Sequence, residues 1–165
     1  MSLGRLLGGH RETIAGTVYG TIVVLSLLTG GAVAYRDDLW RLFAITGVST
    51  IVLWAAHVYS HGLGESVRAE RRLTVGELAT IARRESAILL AAVLPESAVA
   101  LGALDLVRGA VALWIALGLG IATLTIQALR YAYLERLSRW GATLTVGLNL
   151  VFGAVFVAVK VLLAH

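Results

Sequence analysis

A chain of 165 residues is the size of one soluble domain, but 58% hydrophobic and 15% charged residues exclude that class, since soluble domains carry about 45–50% and about 25%. No cysteine is present, which excludes disulfides, thiolate metal sites and cysteine nucleophiles. The net charge of +4 comes from arginines set in short segments between apolar runs; that pattern orients membrane proteins and does not make the basic patch of a nucleic-acid binder.

The apolar runs follow in chain order. Residues 13–35 carry no charge. Ala32-Val33-Ala34 resembles a small-x-small cleavage site, but the run is longer than a signal-peptide core, so a retained span is expected. The second run, 42–64, is interrupted only by His57 and His61. The segment 65–85 holds Thr74-Val75-Gly76-Glu77, which has capping-box spacing. Leu78, Ile81 and Ala82 then share one face, and Arg83 and Arg84 follow. This spacing predicts a short amphipathic helix on the inner surface, with Arg83 and Arg84 on anionic lipid. The sharper alternative for this segment is a gate or a partner-docking surface.

Residues 86–104 form the third run, with Pro95-Glu96 in its middle. The fourth and fifth runs cover 109–129 and 140–162, the last continuing past Lys160. A helix needs about 20 residues to cross about 30 Å of hydrocarbon. The expected fold is therefore all-α: a polytopic integral membrane protein of five transmembrane helices in a single domain, 1–165. With the N-terminus cytoplasmic, the inside segments carry Arg5, Arg11, Arg68, Arg71, Arg72, Arg83, Arg84, Arg130, Arg136 and Arg139. The outside segments carry only Arg36, Arg41, Arg108 and Lys160. The bias predicts the N-terminus inside and the C-terminus outside.

An ionisable group within a span needs a reason, because a charge at the bilayer centre costs roughly 2.5–3.5 kcal/mol on insertion scales. Glu96 is the one formal charge near a span centre. Pro95 cannot donate to the carbonyl of Ala91, so a kink is expected there. Glu96 then reads either as a proton- or cation-binding carboxylate or as a protonated side chain bridging two helices.

His57 and His61 stand one helical turn apart, and Glu65 follows at the same spacing. This face could ligate a divalent metal ion or relay protons; no other cofactor is expected. At 1.5 Å per residue His57 lies about 6 Å inward of the centre and His61 about 12 Å, so the bland alternatives are a hydrogen-bonded core histidine and an interfacial one. Tyr19 on the first span and Asn149 on the fifth fall in the same inner half. If their faces converge, Tyr19, His57, Glu96 and Asn149 outline a polar cavity open to the cytoplasm.

Gly16 and Gly20 form a Gly-x-x-x-Gly, expected to serve helix packing or dimerisation. Gly118, Gly120, Gly141, Gly147 and Gly153 predict close packing on the fourth and fifth spans. Trp40 and Trp140 read as interface anchors, Trp54 and Trp114 as packing residues. No nucleotide fingerprint or nucleophile elbow occurs, so no enzyme is expected.

Residues 11–20, Arg-Glu-Thr-Ile-Ala-Gly-Thr-Val-Tyr-Gly, and 55–60, Ala-Ala-His-Val-Tyr-Ser, resemble the first two spans of the vacuolar iron transporter family. The resemblance implies a five-span scaffold with an inside N-terminus and a charged inner loop after the second span. The family's cation path uses carboxylates at the positions of Tyr19 and Val58 here, so iron–proton antiport does not carry over. His57 and Glu96 would be the substitute polar groups. The chain also resembles small actinobacterial membrane proteins, which implies no activity.

The expected function is a channel or transporter for protons or a small cation, acting through the inner-half cavity in the cell membrane, a bacterial inner membrane. Five helices make a thin wall around a pore, so a homo-oligomer is expected, with Gly16 and Gly20 as one contact. The alternative is a non-transporting scaffold, sensor or subunit that uses 65–85 to bind a partner or anionic lipid.

Overall fold

The apolar runs fold as helices in the computed structural model, which describes residues 3–35 and 37–163. The side chains of residues 3–12, 160 and 163 are outside that description, so of the charge count Arg36 and the side chains of Arg5, Arg11 and Lys160 are not described. Among the described residues there are six helices: α1 (Leu3–Ala34), α2 (Leu39–Ala69), α3 (Val75–Arg84), α4 (Ala87–Ala103), α5 (Gly109–Leu134) and α6 (Arg139–Leu163).

Four stretches are long and apolar enough to cross a membrane by themselves: Thr13–Ala34, Leu39–Ala69, Gly109–Leu134 and Arg139–Val159. The third expected span differs. Its helix, α4, has 17 residues, about 25 Å at 1.5 Å per residue. It reaches the length of a span only together with α3, across a bend of 43°. That bend lies at Glu85-Ser86. The helix runs unbroken through Pro95, and the 43° bend lies ten residues before it.

Local chemistry sets the helix ends. Asp38 caps α2 by accepting from the backbone N–H of Arg41 at 3.0 Å. At the other end Glu70 adopts the left-handed conformation, φ 52°, and the Glu70 and Arg71 N–H groups return to the Val67 and Ser66 carbonyls. Helix α2 therefore extends into the segment expected to be loop. The expected amphipathic helix is α3. Thr74 Oγ1 accepts from Glu77 N at 3.3 Å while Glu77 Oε2 accepts from Thr74 N at 2.8 Å, the reciprocal box. Ile81 is buried, and the Trp54 indole N–H donates to the Ala82 carbonyl at 3.1 Å, pairing one of the carbonyls a helix end leaves free.

Helix α4 is the centre of the bundle, packed by α1, α2 and α5. Its buried residues are mostly small: Ala87, Ala91, Ala92, Ala98 and Gly102. Backbones therefore approach closely. A Cβ on Gly20 would stand 2.8 Å from the Ile88 carbonyl oxygen, and one on Gly16 would stand 3.1 Å from Ala87 Cβ. The Gly-x-x-x-Gly is thus spent within the chain, on α4, and is not available as the contact between copies. Gly120 meets Leu25 and Gly153 meets Ile121, as expected of packing glycines, but Gly118 and Gly147 face open space. Trp114 is 47% exposed. Helix α6 packs mainly on α5 and α1.

Candidate functional site

Three chain segments meet at the end of the bundle that carries α3. Helix α2 supplies His57 and His61, whose ring centroids are 5.9 Å apart, as spacing by one turn requires. Helix α1 supplies Tyr19, its ring 4.7 Å from that of His57 and tilted by 44°. The α3–α4 junction supplies Arg84 and Glu85. Glu85 is buried, and its Oε1 lies 2.8 Å from His61 Nδ1. Arg84 Nε is 3.7 Å from the same oxygen, and Arg84 Nη2 is 3.3 Å from Glu65 Oε1. These side chains line a cavity of about 320 Å³, walled also by Ala15, Gly16 and Ile88. A neighbouring cavity of about 310 Å³ shares His61 and Arg84 and adds Ser60, Gly64, Glu65 and Arg68.

The chemistry is that of a hydrogen-bonded relay. With Nδ1 donating to Glu85, His61 Nε2 carries a lone pair in the neutral ring and a proton in the cation. Glu85 is held between an imidazole and a guanidinium, which compensates a carboxylate placed at the edge of the apolar bundle.

Of the residues expected to form the cavity, Tyr19 and His57 do so, joined by His61. Asn149 does not: its Nδ2 donates to the Thr145 carbonyl of its own helix at 3.0 Å, and it lies on α6, away from this cavity. The expected metal triad also fails to assemble. Glu65 pairs instead with Arg84, whose Nη2 is 3.3 Å from its Oε1. Among the described residues no group of three or more His, Asp or Glu side chains is arranged to hold a metal ion. Sequence reading missed Glu85. Its signal was an acidic residue directly before an apolar run, but its partner His61 is far away in sequence.

Glu96 lies deeper and outside this cavity. It is 8% exposed, and neither carboxyl oxygen has a hydrogen-bond partner among the described residues; the bridging hydrogen bonds of the bland reading are not made. From Ile88 in the cavity wall to Glu96 is about 12 Å along α4 at 1.5 Å per residue. About 9 Å further stands Gly102, in the wall of a cavity of about 300 Å³ at the opposite end of the bundle. Asp37, Asp38 and Asp105 also line that opposite cavity. The order along α4 is thus polar cavity, buried carboxyl, acidic cavity.

Compared with known protein families, curated proteins and solved structures, the chain matches none.

Proposed function

We propose that this chain is a membrane transport protein that moves protons or a small cation, with Glu96 as its internal station. The observation that carries this reading is the position of an unpartnered buried carboxyl between cavities at the two ends of α4. A buried polar atom left without a partner costs about 1–3 kcal/mol. A residue that serves only packing would not keep that cost at the centre of the bundle. Ionisable groups inside membrane helices are most often part of a proton or ion path.

In this reading the N-terminal and α3 side faces the cytoplasm of a bacterial cell. Tyr19, His57, His61 and Glu85 form the inner vestibule, and Asp37, Asp38 and Asp105 the outer mouth. Purified protein in liposomes carrying a pH gradient or a monovalent-cation gradient tests it. Glu96→Gln is expected to lower flux at least tenfold, and Asn149→Ala to leave it unchanged. Unchanged flux in both Glu96→Gln and His57→Ala would sink the proposal.

A second reading has its own support. Val67 is 76% and Val75 86% exposed beside Arg72 at the α2–α3 turn, a small apolar-basic surface suited to a scaffold that touches anionic lipid or a partner. Here Arg83 is the cation of the expected lipid pair that would meet lipid, since Arg84, also exposed, pairs with Glu65 and Glu85. Flotation with anionic vesicles would be weakened by Arg72→Ala and Arg83→Ala in this reading and unaffected in the first.

A further inference from the structure

The hairpin of α2 and α3 holds a groove that the transport path does not use. Its volume is about 260 Å³, and its walls are Tyr59 and Leu63 of α2, Arg72 of the turn, and Val75 and Leu78 of α3. Gly62 forms the floor: a Cβ there would stand 3.3 Å from Leu78 Cδ1, so the two helices lie close at the base. Tyr59, Leu63, Val75 and Leu78 are all exposed, which leaves the apolar walls uncovered. Among the described residues no carboxylate lines this groove. Its hydroxyls are mostly spent. That of Ser66 donates to the Arg71 carbonyl at 2.8 Å, and that of Thr74 is held by Glu77. The Arg72 guanidinium and the Tyr59 hydroxyl have no hydrogen-bond partner among the described residues.

The length of α2 sets the level of the groove. The helix has 31 residues, about 46 Å at 1.5 Å per residue, which exceeds the roughly 30 Å of hydrocarbon in a bilayer. Trp40 is exposed at the opposite end, where a tryptophan suits the interface. Counted from there, a span of about 20 residues ends at Tyr59, itself a residue type of the interface. Leu63 stands one turn beyond it, and Arg72 follows in the turn after α2. The apolar walls of the groove therefore continue past the hydrocarbon edge into the headgroup layer. Water would meet them there unless something apolar covers them.

We infer that this groove binds one anionic phospholipid, its phosphate on Arg72 and the upper part of an acyl chain over Leu63, Val75 and Leu78. The inference rests on the reading that the chain spans a bilayer, and it deepens the second reading by naming the partner and the place where it sits. A guanidinium offers only donors, in a fork that matches two phosphate oxygens. Its neighbour Arg71 is not available, being held by both oxygens of Glu77. The ligand that fits must therefore carry an anionic acceptor at one end and an apolar chain along the rest. A phospholipid with net negative charge has both, and it lies at this level of the membrane. A zwitterionic lipid offers the same phosphate but adds a cation beside Arg72.

The test uses the full chain in an uncharged detergent. Phosphatidylglycerol or phosphatidylcholine with the same acyl chains is added, and bound lipid is counted by native mass spectrometry. One phosphatidylglycerol is expected to bind about tenfold more tightly than phosphatidylcholine, as a bidentate charged contact allows. Arg72→Ala should remove that preference, and Arg83→Ala, outside the groove, should keep it. Val75→Glu should remove it too: a carboxylate at the first residue of α3 suits the helix end but competes with the phosphate for Arg72. Unchanged melting of these variants, followed by tryptophan fluorescence, shows that the fold is kept. Equal retention of the two lipids overturns the site, as does a preference that survives both Arg72→Ala and Val75→Glu. A preference lost equally in Arg72→Ala and Arg83→Ala leaves only the diffuse surface contact of the second reading and overturns the groove. Glycerol phosphate competing as well as the lipid, or a lipid-free dimer that Arg72→Ala breaks, also overturns it, by assigning the groove to a bare anion or to a second copy. Liposome flux is scored separately: flux without lipid preference removes the groove and leaves transport standing, and preference without flux does the reverse.

Discussion

Thr74, Glu77 and Arg71 form a fastening that is complete at the level of single residues. Arg71 Nη2 and Nη1 hold Glu77 Oε1 and Oε2 at 2.6 and 3.1 Å, and Thr74 adds its backbone and side chain. The Arg71 hydrogen bonds, followed by those of Thr74, lower the Glu77 pKa from 4.5 to about 2. A lowered carboxylate pKa stabilises the folded end of α3 fully above the unfolded value of 4.5 and loses that effect as pH falls to about 2. Protection of the α3 amides, their exchange rate measured against the intrinsic rate at each pH, should therefore fall between pH 4.5 and 2, with a smaller change in Glu77→Gln; the same loss of protection in that variant would contradict the cap. Thr74→Ala removes the cap oxygen, at about 1 kcal/mol, and should raise α3 exchange about fivefold at neutral pH. The Thr74–Glu77 box was legible in the sequence because both residues lie within one turn; the part played by Arg71 was not, because it depends on how the α2–α3 turn folds. The His61–Glu85 pair was not, because folding back the α2–α3 hairpin is what brings Glu85 to the histidine in place of Glu65.

At the scale of elements, the contact of α1 with α4 decides how tightly the bundle closes. A Cβ on Gly20 would meet the Ile88 backbone at 2.8 Å from its oxygen and 2.9 Å from its Cα. Backbone cannot swing aside as a side-chain tip can. Gly20→Ala is therefore expected to destabilise the protein by about 1–3 kcal/mol through overpacking. Gly118→Ala, which has nothing within 4 Å, should be close to neutral. Melting in detergent followed by tryptophan fluorescence compares them; equal melting temperatures would place α1 and α4 further apart than described here. The sequence showed that Gly16 and Gly20 share one face, but a small-residue face is equally suited to a neighbouring helix and to a second copy. Only the packing of α4 made the choice. Likewise the length of the run 86–104 concealed that its helix begins after a sharp bend, since residues on both sides of Glu85-Ser86 are individually good helix formers.

For the whole molecule, a bundle that crosses a bilayer presents the α3 end and the opposite end to different sides. The chain has no cysteine, so single cysteines report topology without background. Val67 is 76% exposed near the α3 end and Leu106 is 68% exposed near the opposite end. With the arginine bias setting orientation, Val67→Cys should react with an impermeant maleimide only in inside-out vesicles, and Leu106→Cys only in right-side-out ones. Labelling of both from one side would refute a bundle that crosses the bilayer between them. The same two ends carry the cavities, so this result also fixes which mouth is the vestibule in the transport reading.

The sequence by itself determined the class of the protein, the places where helices run, and the isolation of Glu96. These depend on composition and on stretches of about 20 residues without charge, which are local properties. It also determined the α3 cap, for the same reason. The tertiary structure alone decided which polar groups meet. It joined Tyr19, His57 and His61 to Glu85, sent Asn149 to its own helix, and turned Arg84 onto Glu65. It also left the Thr29 and Thr46 hydroxyls and the Glu96 carboxyl oxygens buried without hydrogen-bond partners among the described residues. Those outcomes follow from rotation of each helix about its axis and from the hairpin at α3. Both are set by close contacts between distant segments, such as Gly20 on Ile88, which helical periodicity within one segment does not encode.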